Sequence, residues 1–311
     1  MNESVLSFKN KYFGDKNFYK MTLTIAIPII IQNLLTNLVS MADNIMVGQL
    51  GTNQMSGVAI INQLFFVFNL LVFGGMSGAG LFSAQYFGQK NHNGVRDVFR
   101  MKILIGITII AISLSVMIFL HKPLINMFLH EGSSSGNIQE TFNYAKNYLY
   151  IMVIGIAPFV ISNCYSTTLK ESGQTVVPMK AGVLAVVFDI VLNYIFIFGK
   201  LGFPAMGVVG AAIATVISRF VECGYLVIYT HRHSNDYPFI KHCYRTLKVP
   251  GSLVKKIIVT GAPLMLNEFL WAGGLTLQTQ ALSTKGLATV GGLNICNTIG
   301  NISNCIFVTM G

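Results

Sequence analysis

Acidic side chains are scarce in this sequence. Only 11 Asp and Glu stand among 311 residues, and all charged residues together make up 10%. A soluble domain carries about 25% charged residues. A water-soluble protein this poor in charge could not coat its own surface, whereas a protein whose solvent is hydrocarbon has no need to. Cysteine is also sparse. Cys164, Cys223, Cys243, Cys296 and Cys305 include no CxxC pair, and four lie in apolar stretches, which argues against a disulfide framework and for packing roles. The opening MNESVLSFKNKYFGDKNFYK lacks the apolar core and small-residue cleavage site of a signal peptide, so it is expected to be a cytoplasmic lead-in to a first span.

Apolar residues are what the sequence has in abundance: 53% of the chain, with a mean hydropathy of +0.61. Crossing a bilayer takes about 20 mainly apolar residues. Eight segments meet that need, at roughly 21–44, 56–83, 102–121, 147–168, 177–199, 207–230, 254–276 and 290–311. So many apolar segments leave too little polar chain to coat them as a soluble core. The expected fold class is therefore all-α, a polytopic membrane protein.

Lys and Arg are distributed unevenly over the connections. One side receives Lys9, Lys11, Lys16, Lys20, Lys90, Arg96, Arg100, Lys102, Lys170, Lys180 and six more between Arg232 and Lys256; the other receives Lys122, Lys146, Lys200 and Lys285. This bias places the N-terminus in the cytoplasm. It also accounts for the net charge of +10 through basic loops at anionic headgroups, without nucleic acid. The basic stretch 231–253 reads as a cytoplasmic linker, and its His231, His233 and His242 as solvated loop residues, since no partners at ligand spacing accompany them. The loop near 130–137, HEGSSSGN, reads as external.

A shift of 235 residues lays Pro28 on Pro263, Gly51 on Gly286, Gly57 on Gly292 and Asn62 on Asn297. Each Pro or Gly sets a local backbone requirement, so these matches point to an internal repeat. Six spans precede the restart, and the seventh and eighth copy the first and second. The expected organisation is a six-helix lobe over 1–235, a linker over 236–253 and a partial second lobe over 254–311, within a longer protein of two six-span halves.

Charged groups inside apolar spans need a reason, since a carboxylate at mid-bilayer costs at least about 2.5–3.5 kcal/mol. They are Asp43, Asp189, Arg219, Glu222 and Glu268. In the first span Gln32, Asn33, Thr36, Asn37, Ser40, Asp43 and Asn44 share about 140° of helical arc, opposite Ile31, Leu34, Leu35, Leu38 and Met41. A polar face of that length predicts a helix lining a water-accessible path, with Pro28 bending it. In the fifth span Asp189 and Asn193 share a face at i and i+4. Asn163 with Ser162, Ser166 and Thr167 in the fourth, Asn294, Asn297, Asn301 and Asn304 in the eighth, and Glu268 after Pro263 in the seventh are candidate walls of the same interior. Arg219 and Glu222, three residues apart, are expected to form a structural ion pair.

Four segments carry a family resemblance: Pro28 and Asp43 followed by VGQLG (47–51), GGMSGAGLFSAQYFGQKN (74–91), LKESGQTVVPM (169–179) and IFGKLGFPAMGVVGAAIAT (197–215). In this order and with this span count, the chain resembles the multidrug and toxic compound extrusion (MATE) family of NorM and DinF type. The resemblance implies a two-lobed helical bundle, here with the N-terminal lobe complete. It implies a secondary antiporter, not an enzyme, that exports lipophilic cationic drugs against H⁺ or Na⁺, as a monomer in the plasma (inner) membrane without a resident cofactor. It implies ion coupling and substrate contact at Asp43, Asp189, Asn193, Asn163, Gln32, Thr36, Asn37 and Glu268, with hinges at Pro28 and Pro263 and any Na⁺ near Asp43 and Asp189. Two departures stand out. The family commonly has Asn four residues before Asp in the fifth helix, where this chain has Asp189 before Asn193. One branch places a Glu deeper beyond the second proline than Glu268.

Two other functions fit less of the sequence. A lipid-linked oligosaccharide flippase of the same superfamily would want several cationic side chains in its spans, and only Arg219 is there. An intramembrane aspartyl protease needs a carboxylate dyad, and the GxGD motif typical of such enzymes is absent.

Overall fold

The computed structural model describes residues 15–129 and 137–285, together with 289, 291–293, 295–297, 299 and 300. The described residues are helical apart from short connections and one folded loop. We label the helices α1 (Lys16–Gly48), α2 (Thr52–Gly88), α3 (His92–Phe119), the short α4 (His121–Asn126), α5 (Ile138–Met152), α6 (Ile156–Glu171), α7 (Val176–Phe198), α8 (Val208–Arg232) and α9 (Gly251–Ser283). Six spans among them are long and apolar enough to cross a membrane: α1, α2, α3, the α5–α6 pair, α7 and α8. The expected seventh span is α9. Most of the expected eighth, with Asn294, Asn301 and Asn304, lies outside the described residues, as do residues 1–14 and 130–136.

Each boundary has a local cause. Asp15 caps α1 by accepting the Phe18 amide at 2.7 Å. Asn91 caps α3 through the Gly94 amide at 3.0 Å. A 3₁₀ turn, Val153–Gly155, separates α5 from α6. Pro158 explains it: without an N–H, it cannot bond the carbonyl four residues back, that of Ile154, and the helix tightens there. Gly199 ends α7 at φ 66°, the left-handed conformation that costs glycine nothing.

α2 forms the centre, packed against α3, α5, α6 and α9. Its inner surface is built from Ile60, Ile61, Phe65, Phe68, Val72 and Met76, all nearly fully buried. α1 lies outside, against α7. Its Ile25, Ile27, Ile31, Leu38 and Ile45 are exposed, as are Val187, Val191 and Tyr194 on α7. In water such a surface would be a liability; against lipid it is the ground state.

The helices alternate in direction, so the basic residues gather at one end. There the expected linker is not a solvated strand. Tyr237, Phe239, Ile240 and Cys243 are buried. Arg100 donates to the carbonyls of Cys243 at 2.9 Å and His242 at 3.0 Å, and Arg96 to that of Pro238 at 3.2 Å. Two of the basic residues that mark this end therefore hold the loop down. Lys102, read from the sequence as a loop charge, is fully buried instead. Its Nζ lies 2.7 and 2.6 Å from the two oxygens of Glu171 and bonds the hydroxyls of Thr167 and Thr168.

α9 repeats α1 in form. Both run 33 residues, and Pro28 and Pro263 each occupy the thirteenth position. Neither proline interrupts its helix. α9 packs on α2 where two glycines face each other: a Cβ on Gly78 would stand 2.3 Å from the Gly261 Cα. Small residues that let backbones approach are how helices associate without a hydrophobic driving force. Toward the basic end, Leu253 and Ile257 of α9 join Ala79, Val98 and Met101 in an apolar cluster.

Candidate functional site

The contact of α1 with α7 rests on small residues. A Cβ on Gly182 would lie 3.2 Å from Gln32 Cγ, so α1 comes close enough for polar groups further along to bond directly. Asn193 Nδ2 donates to Asp43 Oδ1 at 2.6 Å and to Asp189 Oδ2 at 3.2 Å. One amide nitrogen thus bridges two carboxylates from different helices. Asp189 is 4% exposed and Asn193 not at all. Asp189 Oδ1 and Asn193 Oδ1 are buried without a hydrogen-bond partner. The neighbouring hydroxyls of Thr215 and Ser218 donate to backbone carbonyls of α8 instead, at 3.1 and 2.8 Å. The cluster is rich in oxygen and short of donors. Such a site gains from one more proton or a hard cation.

Asp43 also faces a cavity of about 550 Å³. Its walls come from α1 (Asn37, Ser40, Asp43, Asn44), α2 (Asn62, Gln63, Phe65, Phe66, Asn69), α5 (Tyr148, Met152), α8 (Thr215, Arg219) and α9 (Trp271, Gln278, Thr279), with Leu293 and Asn297 beyond. The Phe66 and Trp271 rings stand 5.9 Å apart across the α2–α9 boundary. The α1, α2, α8 and α9 lining comes from the half of each helix remote from the basic end, and the α5 lining from its end at the 3₁₀ turn. Toward the basic end α2 and α9 close on each other at the Gly78–Gly261 contact and the apolar cluster beside it. Aromatic rings stand here among many amide, hydroxyl and charged side chains, a lining as polar as it is apolar that suits a small amphiphilic ligand.

A family model described as MatE matches residues 28–195, which carry both carboxylates and their bridging amide. The chain belongs to the MatE family. Over 286 residues it is 30% identical to the probable multidrug resistance protein NorM of Thermotoga maritima, covering 91% of this chain and 59% of that one. It is 26% identical to the probable multidrug resistance protein YoeA of Bacillus subtilis, over 78% of this chain and 51% of that one. The chain thus spans a little over half the length of these relatives. Solved structures agree on the fold. An inward-facing multidrug resistance MATE family transporter superposes with a TM-score of 0.72 at 23% identity, covering 93% of this chain and 63% of that one. An outward-facing form gives 0.70 at the same identity, covering 93% of this chain and 64% of that one.

The MatE fold draws only part of the sequence-predicted set together. Asp43, Asp189 and Asn193 form the cluster, and Asn37 joins Asp43 on the cavity wall. The reversed order of Asp189 and Asn193 keeps the bridge, because i and i+4 share a face and the amide falls between the carboxylates. Asn297, from the expected eighth span, also reaches the cavity. Gln32 packs against α7 at Gly182 with its Oε1 buried and unbonded. The Thr36 hydroxyl donates back to the Gln32 carbonyl at 2.9 Å, and the Asn163 amide to that of Phe159 at 2.9 Å. Glu268 lies against α2 beside Gly74 rather than on the cavity wall.

The expected Arg219–Glu222 ion pair does not form. Among the described residues the ion pairs are Arg100–Asp97 and Lys102–Glu171. Arg219 turns instead toward aromatic rings, its guanidinium carbon 4.7 Å from the Phe159 centroid and 5.6 Å from that of Phe65. Sequence reading also missed the α2 wall. Asn62, Phe65, Phe66 and Asn69 follow one another at i, i+3, i+4 and i+7, a signal that was there to be found. Nothing local signals Lys102–Glu171, whose partners stand 69 residues apart.

Proposed function

We propose that this protein works as an ion-coupled exporter of lipophilic, mostly cationic organic compounds. The observation that carries this is the position of Asp43. It faces the cavity on one side and shares the Asn193 amide with Asp189 on the other. A change in its charge therefore acts on ligand and cluster together. Burial raises the cost of two adjacent negative charges, so the cluster favours taking up H⁺ or Na⁺. Uptake removes the negative charge that holds a cationic ligand, and the ligand is released on the side to which the cavity opens. By the distribution of Lys and Arg, the cavity lies in the half of the helices toward the outside of the cell, where release is expected. The relatives named as multidrug resistance proteins support this reading, as does an aromatic wall that can bind many flat compounds without strict geometry. A flippase for a pyrophosphate-linked lipid would want several cations; among the described lining residues Arg219 is the one present.

The test is efflux of a fluorescent organic cation from proteoliposomes holding the full-length protein, with either a pH or a Na⁺ gradient imposed. Asp43→Asn is expected to abolish gradient-driven efflux at unchanged expression and folding. Wild-type efflux by that variant would sink the coupling role. Whichever gradient drives the wild type names the ion.

A further inference from the structure

At the basic end Arg96, Arg100 and Lys102 spend their charge inside the protein, on loop carbonyls and on Glu171. The linker that Arg96 and Arg100 hold down carries further cations of its own. Residues 241–260, KHCYRTLKVPGSLVKKIIVT, hold five Lys and Arg and no Asp or Glu. Lys241 bonds Asn235 Oδ1 at 2.6 Å. Arg245, Lys248, Lys255 and Lys256 are exposed, and none of them belongs to an ion pair among the described residues.

The backbone beneath these cations is fixed. Arg100 grips the His242 and Cys243 carbonyls on one side. On the other, Val249 and Val254 pack on the apolar cluster that includes Ala79, Val98 and Met101. Between the two anchors residues 244–248 are all exposed. Tyr244 keeps its hydroxyl on that of Tyr165, yet its ring is exposed, and so is Leu247. Apolar side chains interleaved with cations match the headgroup layer of a membrane, where both kinds of group find partners. Depth along α9 agrees. Lys255 and Lys256 stand about one turn into the helix, and the exposed Ile258 and Val259 follow within the next turn. Cations give way there to apolar side chains, as at the boundary between headgroups and hydrocarbon.

We propose that the linker and the start of α9 form a docking surface for anionic phospholipid headgroups, recognised by Arg245 and Lys248 on the linker and Lys255 and Lys256 on α9. Charge selects the occupant. Four cations without a counter-charge complement a headgroup of net negative charge and gain little from a zwitterionic one. This surface is separate from the cavity, so it stands whatever the cavity carries.

The experiment equilibrates the full-length protein in detergent with equal amounts of phosphatidylglycerol and phosphatidylcholine of matched acyl chains and counts the retained lipids by native mass spectrometry. One surface cation strengthens binding of an anionic lipid about fivefold. Wild type is expected to retain phosphatidylglycerol at least about tenfold over phosphatidylcholine, and Arg245→Gln with Lys248→Gln should lower that ratio by about an order of magnitude. Lys16→Gln with Lys20→Gln removes the same charge from α1 at the same end and should leave the ratio nearly unchanged. Unfolding temperatures in phosphatidylcholine alone report whether each variant is folded, and Lys255→Gln with Lys256→Gln carries the same test if the linker variant is not. Equal retention of the two lipids by wild type overturns the proposal, as does a folded linker variant that keeps the preference. An equal loss in the α1 variant would mean a diffuse field rather than this surface and overturns it too. So does displacement of the retained lipid by inorganic phosphate at constant ionic strength, which would mark a site for a free anion.

Discussion

Gly78 of α2 and Gly261 of α9 meet backbone to backbone, so close that a Cβ on Gly78 would stand 2.3 Å from the Gly261 Cα. This contact and the apolar cluster beside it hold α9 against α2 and α3 toward the basic end. Gly78→Val must push the two helices apart. With cysteines introduced at Val98 and Leu253, disulfide formation should be fast in the parent and at least several-fold slower once Gly78→Val is added. An unchanged rate would show that the packing of α9 here does not depend on this approach.

Asn193 holds two carboxylates with one amide nitrogen. Asn193→Leu removes the bridge and leaves buried oxygens without a donor, a loss of about 1–3 kcal/mol. We expect a lower unfolding temperature and loss of most gradient-driven efflux. Asn193→Gln, one methylene longer, should disturb the bridge less. Thermal unfolding in detergent and efflux in proteoliposomes measure the two effects separately.

Lys102 and Glu171 form a pair whose Lys side chain is fully buried and whose Glu side chain is 17% exposed. Removing one partner strands the other, at about 3–5 kcal/mol for a buried pair, while replacing both with apolar residues is often neutral. Lys102→Met should therefore destabilise strongly, and Lys102→Met with Glu171→Leu should recover much of the loss. A double variant as unstable as the single one would refute this. The partial exposure of Glu171 puts the single-variant effect toward the lower end of that range.

Cys243 lies in the docked loop at the basic end. Burial pushes its thiol up to about 11, against the opposing pull of Arg100 and Arg96. Thiolate is the reactive form, so a raised value means little reaction at neutral pH and a steady rise as pH climbs toward that value. Maleimide labelling of Cys243, read by mass spectrometry between pH 7 and 9, should be far slower than for an ordinary thiol. Arg100→Ala removes the bonds to the His242 and Cys243 carbonyls. The loop should then loosen and labelling accelerate by an order of magnitude or more. Rapid labelling of the parent would show that the loop is not docked.

Much of this protein is written in its composition. Charge too thin to cover a soluble surface, apolar runs of membrane length and one-sided Lys and Arg suffice for a polytopic helical fold, because the bilayer permits few other solutions. The matching of Pro28 with Pro263 put α9 in register with α1, although the expected span, 254–276, fell short of the helix, Gly251–Ser283, at both ends. Asp43, Asp189 and Asn193 were legible as well, because a carboxylate in an apolar helix is expensive enough to stand out. Tertiary structure alone decided the rest. The face of α1 is polar from Gln32 to Asn44, yet only its half from Asn37 to Asn44 reaches the cavity, and Gln32 is spent against Gly182. Lys102 reads as a loop charge until Glu171, far off in sequence, is laid beside it. Arg219 has Glu222 one turn away on its own helix and leaves it for two aromatic rings on other helices. Periodicity states which residues share a face; what that face meets depends on how the helices pack, and packing joins residues that the chain keeps apart.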